Sequence, residues 1–166
     1  MENEVIEITR SIAEPFESLK LKAYWDAHPH GFPTQGWGRL MSRYSLKRHL
    51  EEGKTREQAN EWLQTTYPPI TKETADEWLS EDLNYHYKAV RRLVKVNLVA
   101  TQLAALTDFS FNCGPGNLQI STLLRLVNRG EFDAAGQEFP KWNKSGGIIL
   151  RGLTRRRLVE QKLWYS

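Results

Sequence analysis

The chain has 166 residues, 40% hydrophobic and 26% charged, with 23 Lys and Arg against 20 Asp and Glu for a formal charge of +3. That length and balance suit one folded domain with a real core and exclude a disordered polyelectrolyte. One cysteine, Cys113, excludes an internal disulfide, and no apolar run approaches the roughly 20 residues that span a bilayer.

The N-terminal stretch from Met1 to Glu7 lacks the basic and apolar regions of a secretory signal, so the chain is expected to accumulate in the cytoplasm. Val5, Ile8, Ile12, Phe16 and Leu19 recur at helical spacing, which predicts one amphipathic helix. Pro15 removes a backbone donor and should kink or end it, leaving Glu17 near its end. From Leu19 the period changes to two: Leu19, Leu21, Ala23 and Trp25 alternate with Lys20, Lys22 and Tyr24. Turn residues follow, from His28-Pro29-His30-Gly31 to Gly36 and Gly38, so residues 19–40 read as a small hairpin or sheet.

The rest reads as helical. Thr55 and Gln58 form a capping-box pattern with Ala59, Trp62 and Leu63 behind it, and Pro68-Pro69 ends that helix. Thr71 opens a long helix carrying Ala75, Trp78, Leu79, Leu83, Val90, Leu93 and Val94 on one face. Another carries Leu98, Gln102, Ala105, Leu106 and Phe109 and is stopped by Gly114-Pro115-Gly116. Ser121 starts a short helix that Gly130 ends, and a further one is expected from about 132 to 139. Gly146-Gly147 reads as a loop, and a final basic helix runs from about 152 to 164.

Few residues carry chemistry by pattern alone. Glu17 and Asp26 stand nine residues apart and Thr34 follows eight later, so a helix end feeding a hairpin can bring all three to one wall. Glycoside hydrolysis needs such a pair, one carboxyl to donate a proton and one to assist water or the cationic sugar, but spacing alone does not single these acids out. His28 and His30 fit a solvated turn better than a zinc site, which needs three or four ligands. His49 and His86 belong to no motif, and Cys113 reads as a small buried apolar residue. Arg151, Arg155, Arg156, Arg157 and Lys162 read first as a solvated helix face. Attraction to an anionic wall or outer membrane, or pairing of one arginine with a site carboxylate, are the other two readings.

Two blocks carry a resemblance. The run from Phe16 through Glu17, Tyr24 and Asp26, with Gly31, Thr34, Gly36, Trp37 and Gly38, resembles the phage-type lysozymes of glycoside hydrolase family 24, whose segment reads Glu-Gly-x-x-x-x-x-Tyr-x-Asp, a turn, then Thr-x-Gly-x-Gly. Independently, the stretches 102–106, 109–116 and 121–124, Trp142-Asn143-Lys144, Gly146-Gly147 and 152–157 are similar to the family's helical core. The sequence departs from the pattern in an Asp-to-Thr interval longer by two residues, in Ser18 for the usual Gly, in Arg39 for a common His, and in a longer segment 41–69.

The resemblance implies an α+β, lysozyme-like fold: one catalytic domain over 1–166, with an N-terminal helix and β-rich lobe to about 45, a helical lobe from 46, and a cleft between them. It implies a muramidase cutting the β-1,4 bond between N-acetylmuramic acid and N-acetylglucosamine for host lysis at the end of a phage cycle. Glu17 would be the general acid, Asp26 the carboxylate assisting water, and Thr34 the hydroxyl holding that water. Inversion would leave roughly 6.5–9.5 Å between the carboxyls. No cofactor, metal or nucleic acid is implied. The expected partners are peptidoglycan, a holin for release, and a weak contact of the basic C-terminal helix with an anionic outer membrane. A monomer is expected, held in the host cytoplasm until lysis and acting in the periplasm afterwards. The rivals are a lytic transglycosylase on the same bond and an inactive wall-binding relative with a membrane-active C-terminal helix.

Overall fold

The computed structural model describes residues 1–166. Helix α1 (Glu2–Ala13) ends where Pro15 enters a 3-10 turn, Glu14–Phe16. Strands β1 (Lys20–Trp25), β2 (Pro33–Gly36) and β3 (Arg39–Leu40) form an antiparallel sheet in that order. Helices α2 (Leu46–Glu51), α3 (Arg56–Thr66) and α4 (Lys72–Leu93) follow. Then come α5 (Ala100–Cys113), α6 (Pro115–Ile120), α7 (Thr122–Asn128), α8 (Phe132–Gly136) and a 3-10 turn at Phe139–Lys141. A two-stranded hairpin, β4 (Lys144–Ser145) and β5 (Ile148–Ile149), precedes α9 (Arg151–Trp164). Mostly helical with small antiparallel sheets, this is the expected α+β class.

The chain divides into two compact units, Glu17–Leu79 and Met1–Phe16 with Ser80–Ser166. The first helix therefore groups with the C-terminal helices, and residues 46–79 with the sheet, instead of a division near residue 45.

In the Glu17–Leu79 unit the central strand β2 is buried along its whole length. The expected alternation of β1 is only partly realised. Ala23 is buried, but the pairing with β2 is irregular between Lys20 and Tyr24, and Leu21 stays 39% exposed. The capping box of α3 forms as read, with Thr55 and Gln58 satisfying each other's backbone N–H groups. Ala59 and Leu63 behind it are buried. The segment 41–69 builds an aromatic cluster around His49, which is fully buried, with ring centroids of Tyr44 and Trp62 at 4.4 and 4.5 Å. Trp62 in turn stacks on Trp25 at 6.2 Å and 11°. Burial first, then the neighbouring Lys54 ammonium, hold the His49 imidazole below its ordinary pKa.

In the other unit α5 is buried at every position from Leu103 to Ser110, as a helix enclosed on all sides must be. Around it lie Val5, Val90, Leu118, Leu123, Val127, Phe139 and Trp164. Local expectations are refined here. Gly114 stops α5, but Pro115 then opens α6, a position where its missing N–H costs nothing. The helix expected to 139 ends at Gly136, and Pro140 sits in the 3-10 turn. Gly146-Gly147 is the tip of the β4–β5 hairpin. Cys113 is half-buried and accepts an N–H from Arg157 at 2.8 Å.

The largest change concerns the basic helix. Arg156 and Arg157 in α9 are buried, so the solvated-face reading fails for both. Arg156 makes a two-pronged pair with Asp108 of α5 at 2.7 and 2.9 Å, both groups almost without exposure. Arg157 pairs with Glu160 at 2.6 Å and donates to Asn112 at 3.0 Å. Burying such charges is expensive unless the counter-charge is in contact, and here it is. Burial, and then the Asp108 charge, push the Glu160 carboxyl well above its ordinary range. Arg151, Arg155 and Lys162 are the members of the basic set that stay exposed.

Candidate active site

Glu17, Asp26 and Thr34 all fall in the Glu17–Leu79 unit. Glu17 is the first residue after the 3-10 turn, half-buried, where Pro15 has already halted helical pairing. Trp37 and Gly38 form the turn between β2 and β3. A Cβ built on Gly38 would meet Oε2 of Glu17 at 3.4 Å, and Gly38 holds a φ of +91°. Only glycine combines that backbone with that proximity, which is why a Gly stands there. The turn is anchored from below: the Trp37 indole donates to Asp76 of α4 at 2.8 Å, and Asp76 pairs with Lys72 at 2.5 Å.

Asp26 follows the end of β1. Its backbone N–H donates to the Phe32 carbonyl at 2.9 Å. Its Oδ1 accepts the N–H groups of His28 at 3.1 Å and Phe32 at 2.8 Å. The side chain thus ties the turn that follows it, and both bonds fall on one oxygen.

Thr34 lies in β2 opposite Tyr24 of β1 and Leu40 of β3, with 5% exposure. Its hydroxyl donates to the Phe32 carbonyl at 3.2 Å, which leaves the oxygen able to accept from water. The turn between Asp26 and Phe32 closes before β2 begins, and Thr34 pairs with Tyr24 beyond it.

Tyr24 joins these groups and was not assigned a role from sequence. Its phenol is held above its ordinary pKa by burial first, then by the charges of Asp26 and of Glu17. The Tyr24 ring is half-buried at the end of β1, opposite Thr34. Gln35 is the other residue without a sequence signal. It is 1% exposed, and its amide donates to the carbonyls of Leu21 at 3.0 Å and Pro68 at 2.8 Å. It thereby satisfies the strand where the β1–β2 pairing is irregular.

His28 and His30 are exposed and their rings lie 5.1 Å apart. No group of three or more His, Cys, Asp or Glu side chains converges as a metal site. Arg39 places its guanidinium 5.2 Å from the Trp78 ring centroid.

A short 3-10 exit into an antiparallel three-stranded sheet, with helices making up the rest, is the lysozyme-like fold. The muramidase domain of SpmX from Asticaccaulis excentricus superposes with a TM-score of 0.72 at 28% identity, covering 98% of this chain and 95% of that one. A P22 lysozyme variant superposes with a TM-score of 0.70 at 29% identity, covering 99% and 96%. Residues 14–160 match the Phage lysozyme family model, and the chain belongs to that family. An endolysin of Bacillus phage B103 is 33% identical over 156 residues, which cover 94% of this chain and 52% of that protein. The chain spans about half the length of such curated relatives.

Proposed function

We propose that the chain is an endolysin that hydrolyses the β-1,4 bond between N-acetylmuramic acid and N-acetylglucosamine in peptidoglycan. The observation that carries this is the three-stranded sheet that sets Asp26 at the end of β1, tied by two backbone amides, and Thr34 opposite Tyr24, with Glu17 lying against Gly38 of the β2–β3 turn. Family membership supports the same reading.

Glu17 protonates the glycosidic oxygen as the bond to the anomeric carbon breaks. Asp26 accepts a proton from the water that attacks the opposite face of the sugar, and Thr34 accepts a hydrogen bond from that water. The product is inverted, and one proton has moved from Glu17 to the leaving sugar while another has moved from water to Asp26. The whole chain acts as one catalytic domain and as a monomer. No helix is long and apolar enough to cross a membrane. The endolysin name of the phage B103 relative supports a lytic role, in which the chain waits in the host cytoplasm and meets the periplasmic wall once a holin opens the inner membrane. The exposed Arg151, Arg155 and Lys162 supply the weak attraction to an anionic outer membrane.

Digestion of purified peptidoglycan with product analysis tests this. Wild type is expected to release reducing muramic-acid ends, and Glu17→Gln to lose at least about 10²-fold in rate, the usual scale for a positioned acid. Products ending in 1,6-anhydromuramic acid would identify a lytic transglycosylase instead. An unchanged rate in Glu17→Gln would leave an inactive or membrane-active relative.

A further inference from the structure

The β4–β5 hairpin is rooted in the core and bare at its tip. At its root the Trp142 ring meets Phe109 edge-on at 5.2 Å. Next to it the Asn143 carbonyl accepts the Leu150 N–H at 2.9 Å, and the Asn143 amide donates to Thr154 at 3.4 Å. Outward from there Lys144 pairs with Ile149 and Ser145 with Ile148, and Gly146-Gly147 makes the turn. Ile148 is 68% exposed and Ile149 is 60% exposed.

Neighbouring side chains of a strand point to opposite faces. Both isoleucines are exposed, so neither face of the hairpin lies against the helical unit, and each face carries an aliphatic side chain. A flat partner surface would cover one of these faces, whereas a medium that closes around the tip covers both. The charge along the chain selects the medium. No Asp or Glu stands between Glu138 and Glu160. Of the cations in that interval, Arg156 and Arg157 are buried and paired, and Lys141 pairs with Glu138. Lys144, Arg151 and Arg155 are exposed. From Ser145 to Leu150 there is no charge at all, and Lys144 and Arg151 bracket that stretch on the root side.

An uncharged aliphatic tip followed by cations is the order of a segment at a bilayer interface, where aliphatic groups reach the acyl chains and Lys and Arg stay among the phosphates. We propose that the β4–β5 hairpin inserts its tip into an anionic phospholipid leaflet facing the wall. The open backbone of a two-stranded hairpin cannot enter the hydrocarbon, so insertion stops at headgroup depth. The exposed arginines of α9 then act together with an apolar wedge instead of by charge alone. This holds whether or not Glu17 is the catalytic acid.

Cosedimentation with vesicles of phosphatidylglycerol and phosphatidylethanolamine, beside vesicles of phosphatidylcholine, tests it. Wild type should bind the anionic vesicles at least about tenfold more tightly, the scale of two or three cations near a charged surface. Ile148→Ser/Ile149→Ser should weaken that binding by about tenfold or more while leaving its salt dependence unchanged, and Ile148→Ser alone by about threefold. Lys144→Gln/Arg151→Gln should instead flatten the salt dependence. All of these side chains are exposed, so urea unfolding should match wild type in each variant. Wild-type vesicle binding by Ile148→Ser/Ile149→Ser would overturn the proposal. So would a loss confined to purified sacculi, which would set the hairpin against the wall. Self-association in sedimentation velocity that the serines abolish would give the hairpin to a second copy, and binding to lipopolysaccharide with none to phospholipid would give it to another surface; either result defeats the proposal.

Discussion

Gly38→Ala separates what the β2–β3 turn does for stability from what it does for Glu17. Gly38 and Gly53 hold similar backbones, at φ of +91° and +82°, but nothing lies within 4 Å of a Cβ on Gly53, whereas one on Gly38 meets Glu17 Oε2 at 3.4 Å. An alanine at either position pays the left-handed penalty of about 1–2 kcal/mol, which in a chain of this size lowers Tm by roughly 2–8 °C. Only Gly38→Ala also presses a methyl group on the carboxylate. At 3.4 Å the contact is tight without being a clash, so the carboxyl moves by a few tenths of an ångström. A misplacement of about 1 Å in a catalytic group costs about 10²-fold, so a shift of that size should lower kcat about three- to tenfold. Thermal unfolding and turnover on soluble glycan fragments, measured well below Tm, read the two effects apart. Comparable Tm losses with a kcat defect confined to Gly38→Ala are expected. Wild-type turnover in Gly38→Ala, or an equal kcat loss in Gly53→Ala, would show that the turn does not position Glu17.

Two further predictions concern the helical unit. Asp108→Asn removes the carboxylate that Arg156, 3% exposed, holds at 2.7 and 2.9 Å, and should cost about 3–5 kcal/mol in urea unfolding, while Asp108→Leu with Arg156→Met should recover most of that loss; a single-variant loss below about 1 kcal/mol would count against a paired core. His86, bonded to Ser110 at 2.9 Å, is lowered by burial to about 4. Its folded value lies below the unfolded one, so the unfolded chain protonates first. The stability it contributes is complete above about pH 6.5 and is lost as pH falls toward 4. A shift of that size sets a ceiling of about 3 kcal/mol, and partial exposure of the ring reduces it to about 1–2 kcal/mol. His86→Gln should flatten that part of the pH–stability curve, leaving the smaller share of His49, and an imidazole seen by NMR to titrate near 6.5 would refute the assignment.

What could be read from sequence was local. The Thr55–Gln58 box, the Ser121 cap and the stop at Pro15 each act within about one helical turn, and all three form where the residues stand. The fate of the arginines was not local. Arg156 finds Asp108 at a separation of 48 residues, and nothing near residue 156 announces that partner. A run of four charged or polar residues in a helix therefore reads as solvated, although two of its arginines are core groups. His49 follows the same logic: its neighbours Tyr44 and Trp62 come from either side of it, and only the packing of α2 against α3 places their rings around it.

The site shows where counting along the chain stops being informative. Counting residues from Asp26 to Thr34 does not say which face Thr34 takes, since a slip of one residue in a strand turns a side chain to the other face. The antiparallel register decides otherwise. Thr34 faces Tyr24 across the β1–β2 pair, and Trp25 faces Pro33, so the last two residues before Asp26 are in step with β2. The turn lies beyond that point, where Asp26 closes it with its own carboxylate and α2 fastens it from outside. A turn tied off in this way shapes the rim next to the site without altering the strand pair beneath it. That is why the turn is closed independently of the strand pair that carries Thr34.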